Sequence, residues 1–119
     1  MDVLFETDAF FAGRPQEWAI FEALRARIME QWPQTQTQVM KTCVRFGDPK
    51  PFAYISHPPR KSMTGLLITF SLRAPGPQER YFMVVPINSK RSTVHVLLTS
   101  PQEADDWLLD QLEQARNER

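Results

Sequence analysis

The chain lacks several features that would place it in a specialised class of protein. Its 119 residues include a single cysteine, so no internal disulfide can form and nothing points to an oxidising compartment. No apolar run approaches the roughly 20 residues that cross a bilayer, and the first residues lack the pattern of a signal peptide. Its four glycines form no glycine-rich phosphate loop. We expect one cytoplasmic domain, residues 1–119, with residues 1–13 as a lead-in segment and no membrane association.

The net charge is zero, yet the charges are sorted along the chain. Residues 1–37 carry three basic and six acidic side chains, and residues 38–99 carry nine basic and two acidic ones. Residues 100–119 again favour acid, with two basic and six acidic side chains. Because the two ends have helical periodicity and the middle alternates like strands, this sorting predicts acidic helices beside a basic sheet.

Two helices are indicated. Pro15 suits the first turn of the first one, apolar residues follow at helical spacing, and Pro33 disfavours helical structure at the preceding residue, so this helix should end near Gln31. In the last helix, Ser100 and Glu103 have the spacing of a capping box, with proline at the first helical position.

Five strands are predicted between the helices, because apolar and polar residues alternate there and turn residues separate the runs. Short connections favour antiparallel pairing of sequential strands. We therefore expect an α+β fold, a two-layer sandwich in the order α-β-β-β-β-β-α, with both helices on one face of the sheet and the other face open. The strand at residues 81–85 is apolar enough to be buried. The predicted strands are Val39 to Phe46, Phe52 to Ser56, Leu66 to Arg73, Tyr81 to Val85 and Thr93 to Thr99.

Several motifs, in their order and spacing, resemble a bacterial family known as domain of unknown function 5655. The resemblance covers residues 10–115 and implies a small standalone α+β domain without an established activity. In one stretch, residues 74–92, the chain departs from the aromatic-rich approach to a histidine that the family tends to have. The motifs are Phe10-Phe11-Ala12-Gly13, Val39-Met40-Lys41-Thr42-Cys43-Val44-Arg45-Phe46, Phe52-Ala53-Tyr54-Ile55-Ser56, Pro59-Arg60-Lys61, Ile68-Thr69-Phe70, His95-Val96-Leu97-Leu98 and Trp107-Leu108.

The basic sheet is the favoured functional surface. Along each strand its cations alternate with the main apolar residues, so they should point to the opposite, open face of the sheet. There they should bind an anionic small molecule or a protein partner. Single-stranded nucleic acid, with stacking on Tyr54 or Phe82, is less favoured because the isoelectric point is near 6.7. The predicted contacts are Lys41, Arg45, Arg73, Arg91 and His95.

Two other functions stay open. Cys43 lies near cations that lower a thiol's pKa, and it would form a nucleophile–base pair with His95 if their strands were neighbours. A zinc site that adds His57 to these two lacks any ligand spacing. A frataxin-like metal chaperone would instead use the acidic face of the last helix, where Glu103, Asp106 and Asp110 recur at three- and four-residue steps. A non-catalytic binding module without a cofactor is preferred, and a homodimer is left open.

Overall fold

A computed structural model describes the backbone of residues 3–119 and the side chains from residue 7 onward. None of its helices is both long and apolar enough to cross a membrane, within that described part of the chain. A 3₁₀ turn, Pro101–Glu103, precedes the last helix. The helices are α1 (Val3–Phe10), α2 (Pro15–Gln31) and α3 (Asp106–Glu118), and the strands are β1 (Gln36–Val39), β2 (Val44–Gly47), β3 (Pro51–Ser56), β4 (Leu66–Leu72), β5 (Met83–Asn88) and β6 (Arg91–Leu98).

The predicted α+β class is confirmed, with six strands in place of five. They form one antiparallel sheet in the order β1-β2-β3-β4-β6-β5. The lead-in segment contains a helix of its own, α1, which the sequence analysis did not predict. Helix α2 has the predicted bounds, and it ends where the Trp32 N–H donates to the Ile28 carbonyl over 2.8 Å.

The extra strand comes from a turn within the segment predicted as one strand from Val39 to Phe46. The Met40 N–H donates to the Cys43 carbonyl over 2.8 Å, and β1 and β2 form a hairpin around this turn. The prediction of a continuous strand is wrong because the turn contains no glycine, proline or asparagine to mark it.

Sequential pairing holds from β1 to β4 and then fails. Strand β6 pairs with β4 along its whole length, and β5 lies outside β6 at the edge of the sheet. Every residue of β5 is exposed, so the prediction of a buried strand at residues 81–85 is wrong. Apolar composition alone does not distinguish a central strand from an edge strand, because the order of the strands in the sheet decides which strand has a neighbour on both sides.

Both long helices pack on one face of the sheet, as predicted. Phe21 of α2 stacks on Phe46 of β2 with ring centroids 6.0 Å apart, and Leu108 and Leu112 of α3 are buried in the same core. The ends of α2 and α3 meet where the Arg27 side chain donates to the Ala104 carbonyl over 3.1 Å. The opposite face of β2, β3, β4 and β6 we call the open face.

The predicted capping box of Ser100 and Glu103 caps the 3₁₀ turn that precedes α3, and not α3 itself. Glu103 accepts hydrogen bonds from the backbone N–H groups of Thr99 and Ser100, at 2.8 and 3.1 Å, and so closes the 3₁₀ turn. Helix α3 has its own cap, Asp105, whose side chain accepts from the Leu108 N–H over 3.2 Å. The Ser100–Glu103 pattern therefore does not begin the long helix.

One glycine is required by close packing ahead of β4. Gly65 has a φ of +114°, and a Cβ there would lie 2.4 Å from the carbonyl oxygen of Leu98. Both the dihedral angle and the contact exclude a side chain at this position. The glycine lets β4 enter the sheet directly against the end of β6.

Candidate functional site

A cleft lined by cations opens at the end of the sheet where β3 and β6 begin. One cavity, of about 300 Å³, is bounded by residues of β3, β4, β6 and α3. A second, wider depression of about 640 Å³ lies along the β5–β6 turn. Arg91 lines both, and we call the two together the basic cleft. The first cavity is lined by Lys50, Pro51, Phe52, Tyr54, Ser71, Arg91, Ala115 and Arg119, and the second by Arg73, Asn88, Ser89, Lys90 and Arg91.

Arg91 is fixed at the centre of the basic cleft by two neighbours. Its Nη1 donates to the Ser71 hydroxyl over 3.3 Å, and its Nη2 donates to the Glu118 carbonyl oxygen over 2.7 Å. A guanidinium has five N–H donors in a planar fork, so donors remain for a ligand. Anchoring by β4 and α3 lowers the conformational entropy that binding would cost.

The two lysines of the basic cleft have unpaired ammonium groups. Lys50 follows a tight turn in which a Cβ on Gly47 would lie 2.6 Å from the Pro49 carbonyl oxygen. Its own carbonyl accepts from Arg119, while its ammonium has no hydrogen-bond or ion-pair partner among residues 7–119. The same holds for the ammonium of Lys90, whose backbone N–H donates to the Asn88 side chain over 2.8 Å.

Asp48 anchors the cations on one wall of the cleft. Its carboxylate lies 2.6 Å from a guanidinium nitrogen of Arg116 and 2.6 Å from one of Arg119. Arg116 also lies over the rings of Trp32 and Phe52, at 4.6 and 4.9 Å. Burial raises the pKa of Asp48, but the two guanidinium groups lower it more, so its pKa lies below the ordinary 3.8.

A second carboxylate, Glu118, borders the cleft without cancelling its charge. It accepts from the Arg73 N–H over 2.7 Å. Burial raises the pKa of Glu118, but the hydrogen bonds from the Arg73 N–H and the Gln114 amide and the nearby arginines lower this pKa by more. The net pKa is lowered, so the carboxylate stays ionised. Cations still outnumber carboxylates here by six to two, and the region is electropositive. The cations are Lys50, Arg73, Lys90, Arg91, Arg116 and Arg119, and the carboxylates are Asp48 and Glu118.

The five predicted contact residues lie in three places, which are the basic cleft, the open face and the β1–β2 turn. Arg73 and Arg91 lie together in the basic cleft. Arg45 and His95 lie in one row across the open face, through Tyr54 and Thr69.

The row on the open face offers little free charge. The Arg45 guanidinium is hydrogen-bonded to Gln38. His95 Nδ1 lies 2.8 Å from the Thr69 hydroxyl, and burial lowers the pKa of His95, so the ring is neutral at pH 7. Lys41 lies in the β1–β2 turn, at the end of β2 away from the cleft. The anion contacts predicted from the sequence therefore do not form a single surface.

Cys43 and His95 are not brought together. Cys43 lies in the turn before β2, and β3 and β4 lie between β2 and β6, so the strands that position the two residues are roughly 14 Å apart at a strand spacing of about 4.8 Å. The Cys43 sulfur instead lies 4.0 Å from the Met40 sulfur. The condition for a nucleophile–base pair, neighbouring strands, is not met.

The acidic residues weighed for a metal are also dispersed. Glu103 lies in the 3₁₀ turn, where Arg80 approaches it to 4.0 Å, and Asp106 pairs with Arg27 at 2.5 Å. Asp110 is exposed on α3. In the part of the chain that the structure describes, no three His, Cys, Asp or Glu side chains are grouped so that they could hold a metal ion.

Sequence reasoning missed two clusters. Lys50 and Arg119, which share the cleft, are 69 residues apart and follow no local motif. Glu17, buried at 6% exposure, lies 2.7 Å from His57 Nδ1 and 3.0 Å from Arg14. His57 stacks on Phe10, at 4.4 Å, and does not approach the other predicted metal ligands. This second cluster ties α2 to the loop after β3.

Residues 7–116 match the family model described as Domain of unknown function (DUF5655). The chain belongs to the DUF5655 family. No curated protein and no solved structure matches it. The DUF5655 match includes Lys50, Arg73 and Arg91 of the basic cleft and stops short of Arg119. Since the family description assigns no activity, a function has to be argued from the cleft itself.

Proposed function

We propose that this DUF5655 protein is a non-catalytic binding module that holds a small phosphate-bearing molecule in the basic cleft. The observation that carries the proposal is the convergence on Arg91 of two cavities lined by cations. A cleft of one charge sign focuses the field and attracts a counter-charged ligand.

The chemistry of the lining favours phosphate. A guanidinium donates two parallel hydrogen bonds to phosphate oxygens, and a lysine ammonium adds a point charge. Arg91 and Lys50 provide one of each in the first cavity, beside the Ser71 hydroxyl. The exposed ring of Tyr54 borders the same cavity and offers a stacking surface for a planar group. A cavity of about 300 Å³ suits a ligand of mononucleotide size.

The lining argues against catalysis. The side chains that line the basic cleft include no histidine or cysteine, and the two carboxylates that border it, Asp48 and Glu118, are held by Arg116 and Arg119 and by the Arg73 N–H and the Gln114 amide, so neither is a free general base. The Ser71 hydroxyl accepts from Arg91 and has no base beside it to activate it. Binding without chemistry is what this set of side chains supports.

Calorimetric titration with AMP, pyrophosphate and adenosine tests the proposal. AMP and pyrophosphate should bind, with affinity falling as salt is raised, and adenosine should not. Lys50→Glu should weaken AMP binding about tenfold, the effect of one charged contact of about 1.5 kcal/mol. Lys41→Glu is the matched control: it makes the same change of charge at an exposed, unpaired lysine at the other end of β2.

The variants distinguish a site from a general charge effect. Equal weakening by Lys50→Glu and Lys41→Glu would mean that only net charge matters. Absence of heat with either phosphate compound at low salt would refute the proposed ligand class. Tyr54→Ala should weaken AMP and leave pyrophosphate unchanged, because only AMP has a ring to stack.

A further inference from the structure

The edge strand β5 carries an apolar stretch that is exposed in the described part of the chain. Among the described residues there are seven exposed large hydrophobic side chains, and five of them fall within residues 82–87. Met83 is 49% and Ile87 is 58% exposed. A contiguous apolar patch of this kind, unlike scattered exposed residues, marks an interaction surface.

Both faces of this strand are open. Val84 is in register with Val94, so it points to the face on which the helices pack, and yet it is 39% exposed where Val94 is buried. Helices α2 and α3 pack mainly against β3 and β4, and α3 contacts Tyr81, just before β5, through Gln111 and Trp107. On the other face, Met83 continues the row of His95 and is equally uncovered.

The two edges of the sheet differ sharply. Strand β1 is four residues long, with the polar sequence Gln36-Thr37-Gln38 before Val39, which limits pairing with another chain. Strand β5 is six residues long and pairs only with β6, so its outward N–H and C=O groups have no strand beside them. Alternate residues of β5 direct their N–H and C=O groups outward, Pro86 contributes no donor, and the Phe82 N–H already donates to the His95 carbonyl over 2.8 Å.

We propose that β5 pairs in antiparallel fashion with β5 of a second copy, and that the protein is a two-fold dimer with one continuous sheet. Across an axis at Val84, each residue faces a residue on the same side of the sheet, as the pleat requires. Val84 then faces itself and Met83 faces Val85. Phe82 faces Pro86, so the apolar residues 82–86 match themselves, while Ile87 lies at the irregularity between Pro86 and Asn88 and stays outside this register.

Charge at the two ends of the stretch favours a second copy over another partner. Glu79 precedes the stretch and Lys90 follows it, and neither side chain has an ion-pair partner among the described residues. Glu79 lies in the turn before β5 and Lys90 in the turn after it, so antiparallel pairing brings the turn that carries Glu79 to the turn that carries Lys90 of the second copy. Antiparallel pairing repeats this opposite-charge contact at both ends of the interface, while parallel pairing would place like charges together.

A single strand pair is a small interface, at or below the roughly 800 Å² per partner of a standard complex. The dimer should therefore dissociate on dilution, and sedimentation velocity from about 1 to about 100 μM measures this. We expect the sedimentation coefficient to rise from that of a monomer to that of a dimer. A monomer at every concentration would overturn the proposal.

Substitutions at the axis test the register. Val84→Lys and Val84→Glu should each raise the dissociation constant at least tenfold, because two like charges then face each other. An equal mixture of the two variants should form a heterodimer, which also shows that each is folded. Met40→Lys is the matched control, since it charges an equally exposed side chain away from β5 and should leave dimerisation unchanged.

Two results would contradict the proposed interface. One is a dimer that persists in Val84→Lys, and the other is a failure of the mixture to associate when both variants retain the thermal unfolding of the original protein. Lys90 belongs to both surfaces, but the dimer test uses Val84 and the cleft test uses Lys50, so the two proposals fail separately.

Discussion

Replacing Asp48 with asparagine removes the carboxylate that holds Arg116 and Arg119, and we expect this change to destabilise the fold markedly. The Asp48 side chain is 12% exposed, and those of Arg116 and Arg119 are 16% and 21% exposed. In Asp48→Asn, two guanidinium groups largely withdrawn from water lose their counter-charge, while Arg116 keeps its stacking on Trp32.

The magnitude follows from the degree of burial. Breaking a fully buried ion pair costs about 3–5 kcal/mol, and an exposed pair contributes about 0–1 kcal/mol. Since Asp48 has two partners at an intermediate degree of burial, we expect a loss of about 2–3 kcal/mol, or a fall of roughly 10 °C in the melting temperature. Asp106→Asn is the matched control: its carboxylate pairs with Arg27 but is 93% exposed, so its loss should stay within about 0.5 kcal/mol.

The loss should depend on pH with a defined sign. The pKa of Asp48 is lower in the folded protein than its ordinary 3.8, because the two guanidinium groups outweigh the effect of burial. The carboxylate's contribution is complete above the unfolded pKa and disappears as pH falls through the folded pKa. The difference in unfolding free energy between the original protein and Asp48→Asn should therefore shrink below about pH 4.

Urea unfolding at pH 7 and at pH 3, followed by tryptophan fluorescence, measures both effects. The lowered pKa values of Glu103, Asp105 and Glu118 make every variant less stable in acid, so only the difference between proteins is informative. Equal losses in Asp48→Asn and Asp106→Asn at pH 7, or a difference for Asp48→Asn that does not shrink between pH 7 and pH 3, would refute the reasoning.

Two further stability predictions use thermal unfolding. Gly65→Ala should lower the free energy of unfolding by about 2–4 kcal/mol, because of the positive φ and the close carbonyl oxygen at this position. The control Gly76→Ala has open space around it and should lower the free energy of unfolding by no more than about 1 kcal/mol. Equal effects of the two substitutions would contradict this account. His57→Ala should cost about 2 kcal/mol because it removes one partner of the buried Glu17, and His57→Gln, which can still donate a hydrogen bond, should recover part of that loss. No difference between the two His57 variants would count against the pair.

The sequence predicts an element well where its signals are local. Helix α2 has its predicted bounds because Pro15 and Pro33 act on the backbone within one or two residues. The turn after Met40 was missed because its side chains mark no turn and the alternation of a strand continues across it. The burial of β5 was misjudged for a different reason, since exposure depends on β6 having inserted beside β4, which no residue of β5 itself encodes.

The candidate site was predicted in part. Arg73 and Arg91 were predicted as anion contacts from their charge and from the face of the sheet on which strand alternation places them, and they lie in one cleft. Arg45 and His95 have the same parity but different surroundings, because Gln38 engages the first and burial makes the second neutral. Lys50 escaped notice because only the packing of α3 against β3 brings it to Arg91 and Arg119.

The sorting of charge along the chain has a structural explanation that the sequence alone cannot supply. Acidic residues of the last segment contact the middle one: the Arg80 guanidinium donates to Asp105 over 2.8 and 2.9 Å, and Glu118 accepts from the Arg73 backbone N–H. These contacts neutralise part of the acid of the last segment within the fold. They also leave the surplus positive charge at the turns, where the ammonium groups of Lys50 and Lys90 have no partner among residues 7–119. The basic character of the sheet in the sequence thus becomes, in the fold, a basic cleft at one end of it, and the cleft is where an anion should be sought.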